Sequence, residues 1–259
     1  MSTSGRISTM ERNSLTSRTE NYVQELMSKQ TGNLVIAHDF KHVDRVRNWA
    51  LLITSKESFP KPELIELTAL LHDIGLTKIS HASERKEHGT SGAEMAEVFL
   101  RDNSNLSGDD IFLITDAIRY HSLSPLIIAK HLQNLGEKGK LLEIINDADL
   151  MDALGAVGIM RAFTSKYSLL AYDTANVKGM AWGLSDDECR EKFDGNPSGA
   201  IAPINTIIDQ INQQIRYYDS LHTMTAKSVG QPLVNFMKDF VIQLEREIKH
   251  QTTPLTAFR

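Results

Sequence analysis

Apolar residues recur at steps of three and four positions along most of the chain, and this spacing limits the fold more than any other feature. The pattern is clear in residues 43–51 and again in 64–74. Such spacing places apolar side chains on one face of an α-helix. Convincing alternation of apolar and polar residues, which would indicate strands, is absent. The sequence therefore predicts an all-α fold, a bundle of helices around an apolar core.

Seven further segments carry the same pattern and are predicted to be helical: 22–30, 92–101, 108–121, 139–152, 155–170, 204–222 and 232–249. Three serines followed by an acidic residue at the third position predict helix starts at Ser91, Ser107 and Ser185. Gly75 follows the apolar run 64–74, where a helix C-cap with positive φ is expected.

The chain is expected to hold a single helical domain over residues 19–259. Residues 1–18 are rich in serine and threonine and contain little to bury, so we expect a disordered N-terminal extension rather than a transit peptide. Glycine and proline concentrate in residues 173–203, which predicts a long loop carrying a short helix. This loop suits either a lid over an active site or a surface insertion.

Composition excludes several classes of function. Lysine and arginine number 28 against 33 acidic residues, a net charge of −5 that argues against binding a nucleic-acid polymer. The one cysteine, Cys189, forms neither an internal disulfide nor a thiolate metal cluster, which fits a cytoplasmic protein. No apolar run is long enough for a membrane span. Any metal ion must therefore be bound by histidines and carboxylates.

Histidine and aspartate interrupt the apolar segments at several points. The positions concerned are His38, His42, His72, Asp73, His121, Asp147 and Asp149. Burying such groups costs several kcal/mol unless they are paired or bind a cation. Imidazole and carboxylate supplied by several helices indicate a divalent cation that keeps open positions for water. Two metal ions bridged by a carboxylate would also fit.

The segments that carry these residues stand in a specific order, which is HDFKHVDRVRNWA, LTALLHDIG, EHGTSGAEMA, AIRYHS and INDADLMDALGAVGIMRAF. This order resembles the HD-domain superfamily of metal-dependent phosphohydrolases, and within it the bacterial-type subfamily that acts on nucleotides. The segment PLVNFMKDFVIQLEREI is similar to the closing helix of that subfamily. The resemblance covers about residues 22–249 and is interrupted in the 173–203 loop.

The resemblance implies a metal centre with one or two divalent ions per chain. Its ligands would be His42, His72, Asp73 and Asp149. Mn²⁺ is the expected metal, while Mg²⁺, Ni²⁺, Fe²⁺, Zn²⁺ and Co²⁺ suit the same donors. Asp147 is the alternative to Asp149 in the last segment.

The resemblance also implies roles for residues around the metal. Catalytic roles fall to Asp73, His88 and His121. Lys78, Arg85 and Lys86 lie near the metal-binding segments and are candidates for binding substrate phosphates, with a solvated charged turn as the alternative. The residues expected to support the ligands are His38, Arg45 and Asp147. One departure concerns the position after Asp149, where the subfamily carries a basic residue and this chain has Leu150.

The implied activity is hydrolysis of a phosphate ester or pyrophosphate bond by a metal-activated water. The expected substrate is a nucleotide or another small phosphorylated metabolite, with no membrane and no nucleic-acid polymer as partner. Two alternatives use the same ligands: an HD-fold di-iron oxygenase, and a non-catalytic, metal-stabilised domain that senses a nucleotide. A homodimer is left open by the apolar positions of the closing helix, such as Phe236 and Phe240.

Overall fold

The computed structural model describes residues 14–29, 38–79, 87–193 and 201–249. Within these ranges the only strand-like pairings are two isolated bridges, Leu170 with Thr206 and Asp173 with Asn176. The all-α prediction is therefore confirmed. The described helices are α1 (Leu15–Ser28), α2 (Phe40–Glu57), α3 (Pro62–Leu71), α4 (His88–Asn103), α5 (Gly108–Tyr120), α6 (Pro125–Leu135), α7 (Lys140–Asp152), α8 (Gly155–Ser165), α9 (Asp186–Lys192), α10 (Ile207–Arg216) and α11 (Met224–Ile248).

Contacts within the chain divide it into two compact units, Met1–Asp149 and Leu150–Arg259. Sequence analysis expected one domain over 19–259, and that expectation stays a prediction. The disordered extension expected over residues 1–18 does not include residues 14–18, because the Ser14 side chain caps α1 and residues 15–18 are helical. Residues 1–13 lie outside the described residues.

Helix α3 forms the centre of the first unit. Seven of its ten residues are buried, from Leu64 to Leu71, and it packs against α1, α2 and α5. A helix that is apolar on nearly all sides is stable only inside a core. Its C-terminal end therefore delivers His72 and Asp73 to the interior of this unit, where both are buried.

The second unit is built on α8, α10 and α11, which pack against one another. The Asp209 carboxylate accepts hydrogen bonds from the backbone N–H of Met180 (2.8 Å) and Thr206 (2.9 Å), so it ties the preceding loop to the start of α10. Helix α9 lies in the 173–203 segment and begins with the expected capping box of Ser185 and Glu188. Residues 194–200 of that segment lie outside the described part.

Several helix boundaries differ from the sequence prediction. Ser107 caps α5 as expected, but Ser91 lies inside α4, which begins at His88. Helix α11 begins at Met224 rather than 232, so Pro232 lies inside it. None of the helices in the described ranges combines the length and the apolar character that crossing a bilayer requires.

Candidate metal centre

Five histidines and two aspartates converge in the first unit. They are His38, His42, His72, Asp73, His88, His121 and Asp149. Most of them stand at or next to a helix end, since His42 lies in the first turn of α2, His72 and Asp73 follow α3, His88 begins α4 and His121 follows α5. Asp149 projects from α7. The structure thus brings together all four expected ligands and both histidines expected to be catalytic.

Backbone carbonyls fix the orientation of two imidazoles. His72 Nδ1 donates to the carbonyl oxygen of Ala69 (2.7 Å), and His121 Nδ1 donates to that of Ile118 (2.8 Å). A carbonyl oxygen can only accept, so Nδ1 carries the proton in both rings and Nε2 of a neutral ring presents a lone pair. This arrangement is the usual support for a metal-binding histidine.

The Nε2 atoms approach one another in two pairs. His42 Nε2 lies 3.3 Å from His72 Nε2, and His88 Nε2 lies 3.4 Å from His121 Nε2. Two lone pairs at this separation repel unless a proton or a cation lies beside them. In the ion pairs described here, the partners of Asp73 and Asp149 are histidines.

Asp73 lies between the two pairs and presents one carboxylate oxygen to each. Its Oδ2 is 3.4 Å from His42 Nε2 and 3.5 Å from His72 Nε2. Its Oδ1 is 3.4 Å from His88 Nε2 and 3.5 Å from His121 Nε2. A carboxylate in this position can ligate one cation and orient water on the other side, or bridge two cations.

The remaining two members of the cluster differ in exposure. Asp149 Oδ1 lies 3.4 Å from His42 Nε2, and its side chain keeps 23% of its surface exposed, more than any other member. His38 Nδ1 lies 2.8 Å from Asp73 Oδ2, with 16% of its side chain exposed. Asp149 and His38 are therefore the two members of the cluster that are most accessible to solvent.

Burial and charge act against each other on the pKa values. Burial lowers the pKa of His72 to about 4 and keeps this ring neutral. Burial would raise the pKa of Asp73, but interactions with the imidazoles of His72 and His38 hold it well below the usual value. The same contest, with His42 and His72 as the opposing groups, lowers the pKa of Asp149.

His121 shows the opposite direction. Burial would lower its pKa, but a hydrogen bond and the negative charge of Asp73 raise it above the usual value. Two ionised carboxylates beside a neutral His72 form an electron-rich site, and that is the chemistry a divalent cation requires. The donors present therefore fit a divalent metal ion.

Close backbone packing brings His88 to the other residues. A Cβ at Gly75 would lie 1.9 Å from the carbonyl oxygen of His88, and a Cβ at Gly89 would lie 2.6 Å from that of Arg119. Only glycine allows the turn Ile74–Lys78, the start of α4 and the end of α5 to approach this closely. The C-cap role expected for Gly75 is wrong, because its φ is not positive and α3 ends earlier, at Leu71.

The other predicted site residues lie outside this cluster or outside the described ranges. Lys78 is exposed at the end of the turn Ile74–Lys78, and Arg85 and Lys86 are not among the described residues. Arg45 is partly buried on α2, and Asp147 is fully buried on α7. Asp147 belongs to none of the potential metal-binding trios found among the described residues.

Sequence analysis underestimated the part that two residues play in this site. His38 was expected to support the ligands, yet it forms a potential metal-binding trio with His42 and Asp73. Asn146 was not singled out, but its side chain donates to the carbonyl oxygen of His121 (2.6 Å). The one signal for Asn146 was its place in the segment that also holds Asp147 and Asp149.

Comparison with known proteins agrees with this geometry. The HD-domain family model matches residues 39–154, a range that contains every member of the cluster except His38. The chain is 27% identical over 239 residues to the protein YpgQ of Bacillus subtilis strain 168, and the alignment covers 88% of this chain and 90% of YpgQ.

Solved structures share the fold. The crystal structure of B. subtilis YpgQ in complex with ADP is similar, with a TM-score of 0.55 and 20% identity over 90% of this chain and 94% of that one. An HD-superfamily hydrolase from Bacillus thuringiensis is similar with a TM-score of 0.59 and 21% identity, covering 90% and 95% of the two chains. A Lactobacillus plantarum protein has a TM-score of 0.60 and 21% identity over 91% and 97%. The family match therefore indicates an HD domain over residues 39–154, and the solved structures share the fold of the chain.

Proposed function

We propose that this protein is a metal-dependent phosphohydrolase that cleaves a phosphate ester or pyrophosphate bond of a nucleotide. The observation that supports it most strongly is the position of Asp73, whose two oxygens face two separate pairs of imidazole nitrogens in a buried site. Imidazole lone pairs and carboxylate charge converge in this buried site, and such a concentration is costly unless a cation compensates it.

The ligands of the first ion would be His42, His72, Asp73 and Asp149. His88 and His121, which face the other oxygen of Asp73, would bind a second ion or contact the substrate phosphate directly. When bound, a divalent ion would supply Lewis acidity that polarises a phosphoryl oxygen and makes a water molecule easier to deprotonate.

The residues of the chain have distinct tasks in this proposal. Asp73 Oδ1 is the acceptor that would orient the attacking water, because its other oxygen is already hydrogen-bonded by His38. His121, whose pKa is raised, would hold a proton close to the phosphoryl group and could deliver it to the leaving oxygen. Lys78, and with it Arg85 and Lys86, would contact the substrate phosphates as point charges or forks.

A nucleotide is the proposed substrate because YpgQ, which aligns with 88% of this chain, has been crystallised with ADP. Leu150, which follows Asp149, supplies no charge to a phosphate at a position where the resembled subfamily carries a basic residue. We therefore expect other positively charged groups to contact the nucleotide phosphates. We also expect the preferred nucleotide to differ from that of subfamily members that carry the basic residue.

The test combines metal analysis of the purified protein with a screen for phosphate and pyrophosphate release. Nucleoside mono-, di- and triphosphates and sugar phosphates would be offered with Mn²⁺, Mg²⁺, Ni²⁺, Co²⁺, Zn²⁺ or Fe²⁺. The wild type would be compared with Asp73→Ala and with a matched control, His131→Gln. The control alters a histidine on α6 that pairs with Asp116 and lies outside the cluster.

The proposal predicts metal-dependent release by the wild type and the control, and loss of at least a thousandfold in Asp73→Ala. Two irons per chain with O₂ consumption and no phosphate release would replace it with the oxygenase function. Bound metal with neither reaction would leave a metal-stabilised domain that senses a ligand.

A further inference from the structure

His38 contacts the Asp73 carboxylate more closely than the other histidines of the cluster do. Its Nδ1 lies 2.8 Å from Asp73 Oδ2, whereas the Nε2 atoms of His42 and His72 lie 3.4 and 3.5 Å from the same oxygen. The shorter distance is that of a hydrogen bond to a charged group. A carboxylate that ligates a metal ion is ionised and can only accept, so the proton of this bond lies on His38 Nδ1.

The N-terminal cap of α2 holds His38 in this place. The next residue, Asp39, is the N-cap, and its carboxylate accepts the backbone N–H of His42 at 3.0 Å. His38 and His42 therefore stand on either side of the cap, and their rings meet edge to face with centroids 5.0 Å apart. Because the cap fixes the backbone beside His38 and the ring contact restricts its side chain, the donor is preorganised to meet Asp73.

Two roles are open to a histidine in this position. It can ligate a metal ion itself, since His38, His42 and Asp73 offer ligand atoms that lie within 4.8 Å of one another. It can instead hold a ligand in place, as groups hydrogen-bonded to metal ligands commonly do. The 2.8 Å bond favours the second role, because the nitrogen that faces Asp73 carries a proton where a metal ligand needs a lone pair.

The bond to His38 decides how Asp73 divides its two oxygens. Oδ2 has two lone pairs, and the bond occupies one of them, which leaves one for a metal ion. A carboxylate held in this way does not rotate, so Oδ1 keeps its distances of 3.4 Å from His88 Nε2 and 3.5 Å from His121 Nε2. Without the bond, the group would be free to turn and chelate one ion through both oxygens.

We propose that His38 is a positioning residue of the metal centre, which holds Asp73 Oδ2 and thereby keeps Oδ1 turned towards His88 and His121. The proposal rests on the metal binding that the proposed function requires. It assigns to His38 the geometry of Asp73 rather than a bond to the metal ion, and substitutions that keep or remove the N–H donor separate these two roles.

The experiment compares two substitutions that differ mainly in this donor. The side-chain nitrogen of asparagine is as many bonds from the backbone as Nδ1 of histidine, so His38→Asn retains an N–H for Asp73, whereas His38→Leu puts a methyl group in the same place. Binding of Mn²⁺ to the full, metal-free chain is measured from the electron paramagnetic resonance signal of the free ion. We expect His38→Leu to bind Mn²⁺ about 10- to 100-fold more weakly than wild type, and His38→Asn to stay within about threefold of it.

The matched control is His131→Leu. The side chain of His131 is 18% exposed, against 16% for His38, and its Nε2 lies 2.9 Å from Asp116 Oδ2, outside the cluster. This variant is expected to bind Mn²⁺ as the wild type does. Far-UV circular dichroism would establish that each variant folds, and His38→Ala replaces His38→Leu if the latter does not.

Each other outcome has a definite meaning. Wild-type affinity in His38→Leu would overturn the proposal and leave the proposed function intact. Equal weakening in His38→Leu and His38→Asn would overturn it in favour of direct ligation by His38, because a neutral amide nitrogen has no lone pair for a metal ion. A wild type that binds no Mn²⁺ would overturn both proposals, whereas the expected binding pattern without phosphate release would contradict the proposed function alone.

Discussion

Gly75 offers a direct test of how the metal centre is assembled. In Gly75→Ala the new Cβ would lie 1.9 Å from the backbone oxygen of His88 and 2.6 Å from the backbone nitrogen of Gly92. Real Cβ contacts stay beyond 3.0 Å, so the start of α4 must retreat by about 1.1 Å. Neither neighbouring atom belongs to a flexible side chain. Overpacking of this kind costs about 1 to 3 kcal/mol, and contact with two backbone atoms puts Gly75→Ala at the upper end.

We therefore expect Gly75→Ala to lower the free energy of unfolding by about 3 kcal/mol in urea denaturation, or the melting temperature by about 6 to 12 °C. The control is Gly108→Ala in the first turn of α5, where a Cβ would meet no atom within 4 Å. It should be neutral or slightly stabilising, because alanine favours helix more than glycine does. A Gly75→Ala protein within 0.5 kcal/mol of wild type would refute the packing argument.

Three further predictions concern the cluster itself. In metal-free protein, His72 is protonated near pH 6.5 when the chain is unfolded but only near pH 4 when it is folded. Lowering the pH from 6.5 to 4 should therefore reduce the free energy of unfolding by about 3 kcal/mol. In urea unfolding measured across this pH range, His72→Gln should remove most of that decrease. Chelation should lower the melting temperature, and Mn²⁺ at about 100 times its Kd should restore about 2.7 kcal/mol; an unchanged melting curve would contradict binding to the folded state. Asn146→Ala removes the side chain that donates to the buried carbonyl oxygen of His121 at 2.6 Å, so it should lower the free energy of unfolding in urea by about 1 to 3 kcal/mol. Its control is Asn235→Ala, at an exposed position of α11.

Much of the fold could be predicted from spacing alone. The apolar steps in 43–51 and 64–74 indicated α2 and α3, which the structure contains with most of their apolar residues buried. The capping signals at Ser107 and Ser185 worked because each side chain accepts a first-turn N–H. Ser91 failed because α4 begins three residues earlier, without a side-chain cap, where Gly89 and Gly92 pack against neighbouring backbone. Local rules do not register such tertiary contacts.

The site was predictable in composition and not in geometry. Polar groups on apolar helices, with the family resemblance, indicated which histidines and aspartates to expect together. Their spacing along the chain does not indicate which oxygen of Asp73 faces which imidazole, because that depends on how the ends of α3 and α5 pack against the start of α4. Likewise, a C-cap glycine and a close-contact glycine look the same in sequence, and Gly75 is the latter.

The central claim is that the buried His-Asp cluster binds a divalent ion, and anomalous diffraction from crystals grown with Mn²⁺ tests it most directly. The account predicts a manganese peak in contact with His42 Nε2, His72 Nε2 and carboxylate oxygens of Asp73 and Asp149, and no such peak in Asp73→Ala. Absence of a peak beside the Nε2 atoms of His42 and His72 at saturating Mn²⁺, with those atoms still 3.3 Å apart, would contradict it.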